Sequence, residues 1–157
     1  MDILTPAVTD GLSPAFLLLP ILLPLLGGGL LLIHPIVRDT KRNCYTELIA
    51  CLTSAIVFLF LFTLRRGEGA AIYRFTNNPA ASFSVGFLLD GPSMLFAGMV
   101  AVMWPLALLY AFDYMEEERR PLWRNRFFAF YLMTYGITLG VAFAENLVTM
   151  YVFFEML

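Results

Sequence analysis

The chain has 157 residues, of which 60% are hydrophobic, 15% aromatic and only 14% charged, with a mean hydropathy of +0.77. Such a composition excludes an ordinary water-soluble domain. With 10 Lys+Arg against 12 Asp+Glu, a formal net charge of -2 and no dense basic tract, it also excludes nucleic acid as a partner.

The first apolar run, Ala15 to Val37, contains His34 as its only titratable group and is long enough to cross the hydrocarbon with some tilt. A cleaved leader would need a cationic segment ahead of it, and no Lys or Arg precedes Arg38, so the run is expected to be a span. Pro20, Pro24 and the glycines 27 to 29 should kink or loosen this helix, which then needs neighbours to satisfy the freed carbonyls. The second run, Leu48 to Leu64, is free of charge and has Tyr45 just before it, where an interfacial aromatic belongs. Cys44 and Cys51 flank its start without the clustered Cys/His spacing of a zinc or iron–sulfur site, so they are read as plain reduced thiols.

Between this run and the next, Ser82, Ser84 and Gly86 alternate with Phe83, Val85 and Phe87, the period of a β-strand. Ile72 to Phe75 supplies a partner strand and Thr76-Asn77-Asn78-Pro79 a turn, so a small hairpin is expected, with an irregular interfacial loop as the alternative. The third apolar run is Gly91 to Phe112, with Asp90 as its cap and Pro105 at a kink. The fourth is Phe127 to Phe143, preceded by Trp123 as an interfacial anchor. The predicted fold is an all-α polytopic membrane protein with four complete transmembrane helices, a truncated fifth and one β-hairpin between helices two and three. All of it forms one membrane domain over residues 1–157.

Cationic residues set the orientation. Arg38, Lys41, Arg42, Arg119, Arg120, Arg124 and Arg126 fall on one side, against Arg65, Arg66 and Arg74 on the other. The richer side should be cytoplasmic, with the N-terminus and hairpin outside. All these basic residues are read as loop residues. Glu116, Glu117 and Glu118 weigh little in this rule and are read as a solvated face.

A fifth apolar run starts at Asn146 and ends with Leu157; twelve helical residues rise about 18 Å against a hydrocarbon core of roughly 30 Å. The chain is therefore expected to be the N-terminal part of a longer protein, or a split subunit completed by another chain. Glu155 lies nine residues beyond Asn146, about 13.5 Å deeper and near the bilayer midplane. An acidic group there is costly, so it is expected to face protein or water and serve a proton pathway. The alternative is a protonated Glu acting as packing glue. Glu145, at the outer mouth of this helix, is read as a cap suited to the helix dipole, and His34 as an interfacial histidine; both are secondary candidates for a proton path. No nucleophile–base pair, metal cluster or phosphate loop is present, so no catalytic residue, cofactor or metal of the chain's own is expected.

Three segments resemble a known family. Asp90-Gly91-Pro92-Ser93-Met94-Leu95-Phe96 is similar to an Asp-Gly-Leu-Ser helix start, with Tyr110 and Tyr114-Met115 at the far end of that helix. Arg126-Phe127-Phe128-Ala129-Phe130 and Asn146 to Leu157, with Phe153-Phe154-Glu155, are similar to a fourth-helix entry and a fifth helix. These motifs resemble the antiporter-like proton-translocating subunits of respiratory complex I, Mrp-type cation/proton antiporters and membrane-bound hydrogenases. Pro92 stands where Leu is usual, and Phe154 where Trp commonly precedes the glutamate. The resemblance implies that Glu155 is the family's fifth-helix glutamate, facing a lysine on a later broken helix beyond Leu157. It implies a subunit of a proton-pumping oxidoreductase or an antiporter in a bacterial or archaeal plasma membrane. Its partners would be the lipid bilayer, other membrane subunits, and protons or Na⁺. The rival reading is a non-catalytic structural subunit, or an inactive fragment, that scaffolds neighbouring helices.

Overall fold

The computed structural model describes residues 17–64, 72–74 and 86–157. Five helices and a two-stranded sheet run in the order α1 (Leu19–Ile33), α2 (Asp39–Leu64), β1 (Ile72–Arg74), β2 (Gly86–Leu88), α3 (Gly91–Glu116), α4 (Pro121–Ala142) and α5 (Leu147–Met156). Among the described residues, α2 over Asp39–Phe62 and α3 are the two helices long and apolar enough to cross a membrane.

Helix boundaries depart from the apolar runs for local chemical reasons. The first helix has 15 residues and stops at Ile33, short of the expected Val37. Pro35 disfavours helical geometry at His34, which caps the helix by donating its backbone N–H to the Leu30 carbonyl at 2.8 Å. Its expected first residues, Ala15 and Phe16, lie outside the described residues. The second helix begins at Asp39, nine residues before the charge-free run, because an acidic residue suits a helix N-terminus. The structure corrects one expectation: Lys41 and Arg42 belong to α2, and Arg124 and Arg126 to the first turns of α4, not to loops. Pro121 occupies the first turn of α4, where its missing N–H costs nothing.

The expected strand pairing exists, and the described part of the second strand is Gly86–Leu88. β1 and β2 pair antiparallel, with Ile72 opposite Leu88, Tyr73 opposite Phe87 and Arg74 opposite Gly86. The expected turn at Thr76 to Pro79 and the alternating residues 82 to 85 lie outside the described residues. The outer edge of β2 is not left open. Leu88 donates to the Phe143 carbonyl, and Glu145 donates to the Gly86 carbonyl, each at 2.9 Å. The α4–α5 link thereby acts as a third strand across β2, satisfying backbone groups that an isolated ribbon would leave to solvent.

α4 is the centre of the bundle, packed against α1, α3 and α5, while α2 lies against α1 and α3. Glycines permit the closest crossing. A Cβ on Gly136 would lie 2.6 Å from the Ile21 carbonyl oxygen, and one on Gly28 would lie 2.5 Å from that of Ala129. Small residues at a helix crossing let two backbones approach and gain dispersion contacts where lipid offers no hydrophobic drive. Aromatic packing joins α3 to α4: Trp104 stacks on Tyr135 at 5.3 Å between ring centroids. Trp104 Nε1 donates to the Tyr131 carbonyl at 3.3 Å, and the Tyr131 hydroxyl returns a bond to the Trp104 carbonyl at 3.0 Å.

Candidate functional site

α5 is built to hold its register. Asn146 is its N-cap, with Oδ1 accepting from the Thr149 backbone N–H and from the Thr149 hydroxyl, both at 2.8 Å. Thr149 is fully buried, and its hydroxyl accepts from the Gly86 N–H at 3.0 Å, tying the helix start to β2. Phe153 reinforces this, meeting Phe87 edge-on at 5.7 Å and filling the space beside Gly140. The cap is therefore Asn146, not Glu145, because an amide oxygen here reaches two donors at once.

With the start of α5 anchored, the position of Glu155 follows. It is exposed, one turn from exposed Tyr151 and next to exposed Phe154, on a helix whose other long side chains are almost all apolar. Glu145 is half-buried beyond the end of α4, its carboxyl occupying the space that a Cβ on Gly86 would need. His34 is exposed at the end of α1. α1 and α4 run antiparallel: Asn125, near the start of α4, donates from Nδ2 to the Leu31 carbonyl at 2.5 Å. Its Oδ1 accepts from the Ile36 N–H at 3.0 Å. His34 and Glu145 thus sit at opposite ends of the bundle, separated by about 25 Å of helix between Asn125 and Ala142. The structure does not bring the three candidates together.

A polar cluster that sequence reasoning missed joins α2 to α4 at the end opposite the hairpin. Arg42 is 2% exposed, with Nη1 on Asp39 at 2.8 Å, Nη2 on Asn43 at 3.1 Å, and its guanidinium 5.1 Å from the centre of the Phe128 ring. Arg124 Nη2 reaches the second oxygen of Asp39 at 3.1 Å. One carboxylate therefore bridges two guanidiniums, a geometry that fixes the start of α2 against α4. The Asp39…Arg42 spacing, three residues apart on one helix face, was the readable signal, hidden by taking the segment for a loop.

Residues 76–128 match the family model described as NADH-ubiquinone oxidoreductase (complex I), chain 5 N-terminus. The chain is 27% identical over 136 residues to the chloroplastic NAD(P)H-quinone oxidoreductase subunit 5 of Amborella trichopoda, covering 84% of this chain and 18% of that protein. It is 28% identical over 142 residues to the same subunit of Saccharum hybrid, covering 88% of this chain and 19% of that one. A Na(+)/H(+) antiporter subunit of Alkalihalophilus pseudofirmus is 28% identical over 130 residues, covering 81% of this chain and 16% of the relative. The chain thus spans less than a fifth of the length of these relatives. Chloroplast relatives widen the range of membranes beyond the plasma membrane expected from the sequence. The chain is similar, over the portion that the N-terminal model describes, to the antiporter-like membrane subunit family that these proteins represent.

Proposed function

We propose that this chain is the N-terminal segment of a proton-translocating, antiporter-like subunit of a multisubunit respiratory or Mrp-type complex, with Glu155 in the proton path. The observation that carries this reading is a lone carboxylate on an apolar helix face that this chain leaves unpacked, on a helix whose register is locked by the Asn146 cap. Such a group is retained in a spanning helix only where protein or water meets it. The names of the relatives, quinone oxidoreductase and Na(+)/H(+) antiporter, support proton movement, with Na⁺ the coupled ion in an antiporter setting.

In this reading α1 to α4 are four spans and α5 the start of a fifth. The end carrying Arg42 and Arg124 is cytoplasmic, or the equivalent face of an organelle membrane, and the N-terminus and hairpin lie opposite. Glu155 works electrostatically. When a cation near it moves away, the carboxylate loses its stabilisation and binds a proton; the return of the cation releases it. The cation is supplied by a part of the protein outside this chain, which spans less than a fifth of its relatives, or by a partner subunit.

The test is Glu155→Gln in the assembled complex, with proton translocation followed by a pH-sensitive dye in sealed vesicles. Assembly is expected to be retained and translocation sharply reduced. Full translocation by a correctly inserted Gln variant would overturn the proposal and leave the scaffold reading.

A further inference from the structure

A cleft of about 500 Å³ opens between the start of α2, the end of α3 and the start of α4. Its charged lining is Asp39, Arg42 and Glu47 from α2, Asp113 and Glu116 from α3, and Arg124 from α4. Four carboxylates against two guanidiniums give it a negative formal charge, which draws cations inward. Asp39, Asn43, Glu47 and Cys51 follow one another at four-residue steps, so they form a polar stripe on one face of α2. Glu47 stands eight residues past the start of the helix, about 12 Å along its axis.

Three buried side-chain atoms among the described residues have no hydrogen-bond partner: Arg42 Nε, Arg124 Nε and Glu47 Oε2. All three belong to the lining of this one cleft. A buried polar atom without a partner costs about 1–3 kcal/mol, and the residues that carry all three line one polar cavity, so water entering behind these side chains would satisfy them. The other Glu47 oxygen, Oε1, accepts from the Cys51 thiol at 3.4 Å, the next polar group down the stripe.

We propose that the cleft is a water-filled vestibule and that Glu47 is a proton-exchanging carboxylate at its inner end, fed from the membrane face that carries Arg42 and Arg124. A hydronium in the vestibule gives its proton to the Glu47 carboxylate and leaves as water; release reverses the same transfer. Asp39 is held by both arginines and cannot serve as freely. Asp113 and Glu116 are exposed near the mouth, where they concentrate cations. This inference adds a second acid to the chain, on a different helix from Glu155, and stands apart from the role of Glu155.

Two measurements on the full-length protein test it. Cys44 also lines the cleft and reports on access. With Cys51→Ser in sealed vesicles of known orientation, a membrane-impermeant trimethylammonium methanethiosulfonate is expected to modify Cys44 roughly tenfold faster from the arginine-bearing face than from the other. Equal rates, or no reaction from that face, would overturn the vestibule. In pH-difference infrared spectra, one protonated-carboxyl component that shifts on transfer to D₂O is expected to vanish in Glu47→Gln. Unchanged spectra, or a component that does not exchange, would overturn proton exchange at Glu47. Should the Gln variant fail to assemble, Glu47→Asp keeps the carboxyl and is expected to move that component; an unmoved spectrum overturns the proposal. Neither readout depends on turnover, so the outcome is separable from that of Glu155→Gln.

Discussion

Ser54 of α2 and Tyr135 of α4 meet hydroxyl to hydroxyl at 2.9 Å in the buried centre of the bundle. The Ser54 hydroxyl also lies 2.9 Å from the Ala50 carbonyl and 2.8 Å from the Ala101 carbonyl of α3. Serine has one proton, which goes to a carbonyl, so Tyr135 is the donor of the pair. Three helices are thereby joined at one point, with Tyr135 fully buried and stacked on Trp104.

The two partners are therefore expected to differ when removed. Tyr135→Phe deletes the donor and leaves the Ser54 proton satisfied, a loss of about 1 kcal/mol. Ser54→Ala strands a buried phenol and is expected to cost more, up to about 3 kcal/mol. The double variant should be less damaging than the sum, which a thermal-unfolding cycle in detergent would measure.

Asn125 is 2% exposed and holds the end of α1 through two backbone groups, the Ile36 N–H and the Leu31 carbonyl. Asn125→Leu keeps the volume and removes both bonds, and each stranded group costs about 1–3 kcal/mol. The expected signature is a lower unfolding midpoint together with faster hydrogen exchange at the Ile36 amide. Unchanged exchange at that amide would refute the clasp.

Two glycines give a matched comparison. Gly136→Ala drives a methyl toward the Ile21 carbonyl, which as backbone cannot step aside, and is expected to cost about 1–3 kcal/mol. Gly29 has open space around its Cβ position, so Gly29→Ala is expected to be neutral or to stabilise α1 by up to about 1 kcal/mol. Equal midpoints for the two variants would contradict the close crossing of α1 and α4.

Asp90 caps α3, its carboxylate accepting from the Ser93 N–H at 2.9 Å, and the bonds from Ser93 hold its carboxyl below the ordinary carboxylate range. A carboxyl made more acidic by folding stabilises the folded state above its unfolded range, and that contribution is lost as pH falls through the lowered folded value. Asp90→Asn keeps a capping oxygen that does not titrate. The native protein is expected to lose its advantage over this variant as the pH falls below about 4, where unfolded Asp titrates. A constant difference between the two midpoints across that range would refute the charged cap.

The helices were legible because their residues report on themselves. Apolar runs marked all five, and the Asp90 cap could be read because its partner is only three residues away. The strand pairing was legible from alternation, but not its third partner, since β2 is paired on its far side by Phe143 and Glu145, more than fifty residues on. Glu145 was read as a cap for the same reason: its neighbour across the fold, Gly86, is invisible along the chain. Arg42 and Arg124 were taken for loop residues because charge was used to end the spans, whereas both continue their helices by sharing Asp39.

Composition and periodicity alone determined that the chain is helical, apolar and suited to a bilayer, and they singled out Glu155 as an acid in an apolar helix. The tertiary structure decided which polar groups meet: Ser54 with Tyr135, Asn125 with the end of α1, and Glu47 with Arg42 and Arg124 around one cleft. The physical reason is that burial in lipid depends on the sum of side chains along a segment, which the sequence records. A hydrogen bond depends on a few ångströms between residues far apart in the chain, which only packing sets.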